Sequence, residues 1–552
     1  MELEKFAPVF EKLPLTDQEE SFIKPFFTNL DRSVFAVTFL PPEVIGALCA
    51  RTSRAKEDLR VIFLNEFIKP FLAEQTEYGK SLNALIEFLQ KYPLELIFSN
   101  PKGREFYIKW LAQFGDDSIA QMAGTHLIYS NISQLAIKHI EDMRLGIAPI
   151  EKSTRYVDYS AKINGQYLYY TDPTLEKLGL AEEYKEVMDN LFKTYTLINT
   201  KTYEYYKGKY PEEKEAVLKA KAFDVARKIL PVATLSQLSL FGNGQAFEYL
   251  VSRSLDNKLG EVRWAGQMAL EELNKIIPAF LRRIESSDSK EYRTYLSERG
   301  ERVKKALSKV KWHKEEIKNE APVKLLECDP DGEDKIITSL LYPELKEPYG
   351  HIFQKVKKMS DEDKGKILEE VLKDRKCRFY KIPRAFENTY LRFEVTMNIG
   401  AWRDLHRHRI HTQFREKFNI YNGFDTPPEL LGIGLEKEYR DAILKAEGLY
   451  RKVAKSDEDI VQYCATLAHK LRFIQYQNLR SFFWEAELRT IPQGHPDYRK
   501  IEQEKIKLIQ KIYPLISKYL LVDMGEYDFA RRGTVEQIQK KEEELKHYFK
   551  NK

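Results

Sequence analysis

In THLIYS (residues 125–130) a short apolar, β-prone run leads into NISQLAIKHIEDMRLG, where Ile132, Leu135, Ala136, His139, Ile140 and Met143 recur at helical spacing. The pattern predicts a strand followed by a helix, and it returns in the second half of the chain. YLRFEVTM (390–397) alternates with period two, with Leu391, Phe393 and Val395 on one face, and passes through Gly400 into a predicted helix, AWRDLHRHRIHTQFREKF. Each half then carries an asparagine followed by a helical stretch that ends near an arginine. These are Asn243 and Arg253 in GNGQAFEYLVSR, and Asn478 and Arg489 in QNLRSFFWEAELR. The same order of elements twice over points to an internal duplication. Between the halves, residues 283–318 are densely charged and poor in large apolar side chains, which reads as a solvated helix and connector. The tail KKEEELKHYFKNK reads as a solvated helix end. The expected layout is a first repeat over 1–285, a connector over 286–322, a second repeat over 323–535 and a charged tail over 536–552.

Length agrees with this division, since 552 residues exceed the roughly 250–300 that one core holds. With 43% hydrophobic and 31% charged residues the composition is that of an ordinary globular protein. The start, MELEKFAPVF, has no basic region followed by an apolar run, and no stretch of about 18 apolar residues occurs anywhere. A signal peptide and a membrane span are therefore not expected. Four cysteines, Cys49, Cys328, Cys377 and Cys464, are scattered without a CxxC pair. That argues against a disulfide framework or a thiolate zinc site and fits a reducing cytoplasm. A net charge of +5 is small for so long a chain, so no nucleic-acid partner is expected and any basic feature must be local.

One such feature stands out. Trp402-Arg403-Asp404-Leu405-His406-Arg407-His408-Arg409-Ile410-His411 packs three histidines and three arginines into nine residues. A metal site through His406, His408 and His411 is opposed by the positive field of the guanidinium groups, with Asp404 the only carboxylate nearby. A basic surface turn is a second reading, and an RNA-binding module using 402–411 and nearby tyrosines a third. A fourth is a site for an anion or a polarised carbonyl, because the planar guanidinium fork suits phosphates and heterocycle edges.

Arg407-His408-Arg409 with Thr412 resembles the RHRxxS core of the flavin-dependent thymidylate synthases. Glu387, twenty residues before Arg407, stands where that family has a glutamate opening the strand into its RHR helix. The family pattern continues as ExSxRY, but here the matching stretch reads Arg415-Glu416-Lys417-Phe418-Asn419-Ile420. The missing motif is in the first half, as Glu151-Lys152-Ser153-Thr154-Arg155-Tyr156, preceded by Glu141-Asp142-Met143-Arg144 in place of RHR. Ala50-Arg51-Thr52-Ser53 resembles an early ARxS segment, and Gly115-Asp116-Asp117-Ser118 a GHxS segment without its histidine. Ala226-Arg227-Lys228-Ile229-Leu230-Pro231 is similar to ARxxLP, whose arginine holds the substrate phosphate, while the second half has Gln462 at the corresponding place. Asn478-Leu479-Arg480 and Arg489 resemble NxR and the arginine that polarises the uracil ring. The first half has Asn243-Gly244-Gln245 instead. The losses in the two halves are complementary.

The resemblance implies an α+β protein of two tandem homologous domains, each a mixed β-sheet wrapped by α-helices. It implies reductive methylation of deoxyuridylate to thymidylate in a composite site built from both halves, with FAD as cofactor and NADPH and methylenetetrahydrofolate as co-substrates. Two chains would make a homodimer that imitates the family's tetramer. Carried over residue by residue, deoxyuridylate would meet Glu151, Lys152, Ser153, Thr154, Arg155, Arg227, Asp404, Arg407 and Arg489, with Arg489 the catalytic group. FAD would meet Ser53, Ser118, Glu387, Arg407, His408, Arg409, Asn478, Arg480 and Trp484. Asp404 stands where a glutamine often contacts the substrate, and a carboxylate there needs neutralising by Arg403 or Arg407. Trp484 stands where the family has a polar residue. A relative that binds FAD or a nucleotide without turnover is the alternative within the same resemblance.

Overall fold

Two four-stranded sheets organise the chain, and they share one strand order. In the first, β1 (Val34–Val37), β2 (Gly124–Ser133), β3 (Ile147–Glu151) and β4 (Leu235–Asn243) lie in the order β1-β2-β4-β3. In the second, β5 (Val323–Cys328), β6 (Leu391–Asn398), β7 (Thr412–Arg415) and β8 (Lys470–Gln477) lie as β5-β6-β8-β7. Each sheet is thus first–second–fourth–third, so the tandem α+β duplication holds. The computed structural model describes residues 2–72, 76–92, 101–103, 105–106, 109, 118–312 and 321–550. Residues 115–117 of the GHxS-like segment and 313–320 of the expected connector lie outside these.

All strand pairs within the two sheets are antiparallel, a detail in which they differ from the mixed pairing expected. The cause is the short helix between the second and third strands. Helix α1 (Gln134–Glu141) carries the chain from β2 to β3, which run parallel, and β4 fills the gap between them antiparallel to both. Beyond β3 come α2 (Ala181–Lys209), α3 (Gly244–Leu255), α4 (Gly260–Asn274) and α5 (Ser287–Ser308). The second repeat follows suit with α6 (Ile399–Leu405) between β6 and β7, then α7 (Glu436–Val453), α8 (Leu479–Arg489), α9 (Pro496–Ile512) and α10 (Thr534–Lys550). Helix α4 packs on α3 and β1, and α9 packs on α8, β5 and β6. No residue of α5 is buried.

Four strand-to-helix junctions use one device. Ser133, Asn243, Asn398 and Asn478 each end a strand or directly follow one, and each side-chain oxygen accepts the backbone N–H three residues on, at 2.8–3.0 Å. Each such cap is worth about 1 kcal/mol. Gly146, at φ +77°, turns the chain into β3, where a Cβ would come within 2.7 Å of the Ala246 side chain. Two expected boundaries shift. The helix read across residues 401–418 stops at Leu405, because residues 412–415 are drawn into the sheet by pairing with β8. Residues 131–133 belong to β2 rather than to α1.

The chain folds into two compact units. One comprises residues 1–196, 230–316 and 441–465, the other 197–229, 317–440 and 466–552. Each half of the sequence therefore lends a segment to the unit that holds the other half's sheet. No helix among the described residues is long and apolar enough to cross a membrane.

Candidate functional site

In the second unit the RHR residues occupy the turn between α6 and β7. Buried Trp402 anchors this turn, its indole N–H donating to Gln413 Oε1 at 3.2 Å and its ring lying 4.6 Å from that of His406. Arg407 is exposed, and His408 and Arg409 are half-buried. Arg489, the last residue of α8, donates through Nε to His408 Nε2 at 2.8 Å. An imidazole nitrogen that accepts is unprotonated, so His408 is neutral with its proton on Nδ1. Burial pushes it down to about 3, with Arg489 adding to the effect and Glu485 opposing it. His411, whose ring stacks on that of His408 at 5.8 Å, is pushed down to about 4, again chiefly by burial.

Behind this pair lies a cluster that sequence reasoning missed. Glu485 of α8 and Glu502 and Lys505 of α9 are fully buried. Lys505 donates to Glu502 and to Gln475 Oε1, both at 2.8 Å, and Gln475 donates to Glu485 at 2.6 Å. Burial works against the charge on Glu485, but the Lys505 ammonium outweighs it and holds the carboxyl below its ordinary value. Burial and then the charge of Glu485 push Glu502 the other way. The signal was present, since Glu502 and Lys505 fall on the same helical stripe as Tyr498, Ile501 and Ile509. Among the described residues no group of three or more His, Cys, Asp or Glu side chains is arranged to hold a metal ion.

Segment 197–229, lent by the first half, brings Arg227 into this unit. The guanidinium is buried, donates to the Gly400 carbonyl at 3.2 Å and stands 4.0 Å from Asp404. Arg227 thus adds a positive charge beside Asp404 from outside the 402–411 segment. Next to it, buried Lys228 pairs with Asp497 at 2.8 Å, and Asp497 also accepts from the capping Asn398 at 2.6 Å. Burial opposes the charge on Asp497, but Lys228 and His495 hold it well below the ordinary carboxylate range. The other residues of this unit cluster near the start of α8. Asn478 caps the helix, Arg480 pairs with Glu387 at 2.7 Å and donates to the Ile382 carbonyl at 3.1 Å, and Trp484 lies half-buried beside Phe379 and Lys381.

The ExSxRY stretch and Ser53 are brought together in the first unit. Ser153 N–H donates to the Ser53 carbonyl at 2.9 Å, Ser153 Oγ accepts from Arg155 N–H at 3.2 Å, and Arg54 lies over the exposed Tyr156 ring. Glu151 is buried on Lys138 at 2.6 Å, and Thr154 is buried. Lys152 is half-buried, its ammonium donating to the Lys56 carbonyl at 3.0 Å. Desolvation pushes it down to about 8 against the pull of Asp58 and Glu57. Ser118 opens the short helix Ser118–Met122 ahead of β2. Gln462, in the segment lent by the second half, also belongs to this unit.

The family described as thymidylate synthase complementing protein matches the chain twice, over residues 48–279 and 324–515. The chain belongs to that family. It is the flavin-dependent thymidylate synthase family that the RHR and ExSxRY motifs resemble, and the two matches fall on the two repeats. Relatives match along most of this chain and most of their own length. A UPF0159 protein of Chlamydia muridarum is 36% identical over 523 residues, covering 93% of this chain and 96% of that protein. One of Chlamydia pneumoniae is 34% identical over 529 residues, covering 94% and 96%. One of Thermoplasma acidophilum is 28% identical over 523 residues, covering 88% and 96%.

Proposed function

We propose that this member of the family methylates deoxyuridylate reductively to thymidylate, using FAD, methylenetetrahydrofolate and NADPH. The observation that carries the reading is the burial of Arg227, from one half, against Gly400 and Asp404 beside the RHR turn of the other. A phosphate-binding arginine and the flavin motif thereby share one compact unit although they lie 180 residues apart.

The donor set fits a flavin. Arg407 and Arg409 offer guanidinium forks at a turn, and Trp484 offers a flat, half-buried face. Glu387 and Arg480 neutralise one another, so both act as shape and hydrogen-bond elements more than as net charges. FAD, when bound, supplies the relay of carbon and hydride. The chain's own part is to bind and polarise. With Nε committed to His408, Arg489 keeps its terminal N–H groups for the N3–C4=O edge of uracil, where negative charge develops as hydride reaches C6. Arg227 would hold the 5′-phosphate, and Ser153, Thr154 and Arg155 carry the other phosphate-binding motif of the family. The proposed route needs no thiolate, and burial raises both Cys49 and Cys464, which disfavours them as nucleophiles. The complete site draws on both halves of the sequence, and a homodimer imitating the family's tetramer is the expected assembly.

Purified protein should show flavin absorbance or take up added FAD, and should release tritium from C5-labelled deoxyuridylate when both co-substrates are present. Folded protein that takes up no flavin would sink the reading and return the 402–411 cluster to an RNA-binding role. FAD uptake without tritium release would mark a nucleotide-binding relative without turnover.

A further inference from the structure

The buried polar cluster behind His408 has no counterpart in the first repeat. Counting from the capping asparagines Asn243 and Asn478, Gln475 and Gln477 of β8 correspond to Leu240 and Gly242 of β4, and Glu485 of α8 to Leu250 of α3. Counting from the first residues of α4 and α9, Glu502 and Lys505 correspond to Gly266 and Ala269. Leu240, Leu250 and Ala269 are buried core. One fold thus closes the same positions with apolar or small side chains in the repeat whose turn reads Asp142-Met143-Arg144, and with two carboxyls, an ammonium and two amides in the repeat that carries RHR. Burying charges costs desolvation, and replacing a whole buried ion cluster by apolar residues is often neutral or stabilising. The fold alone does not require it.

The hydrogen bonds show what the cluster reaches. Lys505, by donating to Gln475 Oε1, turns the Gln475 amide N–H onto Glu485. That places the Glu485 carboxylate 3.7 Å from His411 Nδ1. On the other side of the ring, Gln413 has its Oε1 taken by Trp402, so its amide N–H meets His411 Nε2 at 2.8 Å. With Nε2 accepting from Gln413, His411 carries its proton on Nδ1, which faces Gln477 Oε1 at 3.1 Å and the Glu485 charge, with the Gln475 amide nitrogen also 3.2 Å away. His411 stacks on His408, and His408 receives Arg489.

We propose that Glu485, Lys505 and Gln475 are positioning residues that hold His408 and His411 in one neutral tautomer and thereby aim Arg489 at its substrate. The proposal rests on the thymidylate synthase reading only for what Arg489 meets. The charged and titratable groups facing the two imidazoles are Glu485, Lys505, Arg489 and His406, with Glu502 behind them.

The test is histidine ¹⁵N NMR on the full chain. In the wild type, His408 and His411 should each show a single Nδ1-protonated tautomer from pH 8 to pH 5. Lys505→Met should move the His411 titration upward and Glu485→Gln downward, opposed shifts that a merely structural role does not produce. A triple variant, Glu485→Leu with Glu502→Leu and Lys505→Met, replaces the cluster by apolar side chains of similar volume and should melt no lower than wild type. It should lose the single tautomer and, in the tritium-release assay, at least tenfold in kcat. Two single variants shifting the same way, a triple variant that keeps the wild-type tautomers, or one that fails to fold would each overturn the proposal. A wild type without thymidylate synthesis but with the expected histidine responses would overturn the functional reading instead.

Discussion

Glu261 shows how much one buried carboxyl asks of its surroundings. It is fully buried and accepts from Ser133 N–H at 2.7 Å, Ser133 Oγ at 2.6 Å and the Tyr463 hydroxyl at 2.7 Å. Even so, burial pushes it up from 4.5 to about 7. A raised value means the folded chain favours the protonated form. Its stabilising contribution is complete below pH 4.5 and is lost as pH rises through about 7. Glu261→Gln, which cannot ionise, should therefore gain on the wild type by roughly 3 kcal/mol between pH 4.5 and pH 8. Denaturant unfolding of both proteins at several pH values checks this, and a difference flat with pH would assign the titration elsewhere. His408 and His411 work in the opposite sense. Held neutral at about 3 and about 4, they stabilise above their ordinary 6.5, and that contribution drains as pH falls. Between pH 4.5 and 6.5 the one carboxyl offsets only about one of the two histidines, so the acid profile of the wild type reports a difference and isolates neither effect.

The strand–cap–helix junction is the element on which the repeats agree most closely, and it separates folding from function. Asn243 and Asn478 make the same 2.8 Å cap on α3 and α8. Replacing either by alanine should cost about 1 kcal/mol, read from denaturant midpoints. Only Asn478→Ala should weaken flavin uptake, and Asn478→Ser, which keeps a cap, should recover the stability while leaving flavin uptake weakened. Equal effects of Asn243→Ala and Asn478→Ala on flavin uptake would contradict the assignment of Asn478. These junctions were legible because alternation in residues 391–397 and the apolar helical stripes are local patterns. The buried polar face of β8 was legible in principle, since Gln475 and Gln477 sit in the period-two register of Leu471 and Phe473. The end of α6 was not. Residues 401–418 hold helix-compatible spacing throughout, and only pairing with the distant β8 turns 412–415 into a strand. Arg227 was recognised by its motif, but no local pattern announces that segment 197–229 joins the second unit.

On the proposed function, that exchange of segments would account for much of the complementary decay. Segments 197–229 and 441–465 stand at corresponding places in the two repeats, and each belongs to the unit that holds the other half's sheet. Arg227 is present where it meets α6, the helix that runs into the RHR turn. Gln462, at the matching place in the other segment, belongs to the unit whose own turn reads Asp142-Met143-Arg144, where a phosphate arginine would have no flavin motif to serve. What remains outside the second unit is ExSxRY. On this division Arg155→Ala and Arg407→Ala should each abolish or cut turnover at least tenfold, since a charge-assisted contact is worth roughly 1.5–3 kcal/mol and neither has a second copy. Arg144→Ala and Lys417→Ala, at the decayed counterparts, should change turnover by less than about threefold, as surface substitutions away from a site do. Mixing and reassembling the two inactive variants then asks where the working ExSxRY comes from. Recovered activity means that a second copy of the chain supplies it, and none means that the same chain does. Substantial turnover in both single variants would end the division of labour, because each half would then hold a sufficient site of its own.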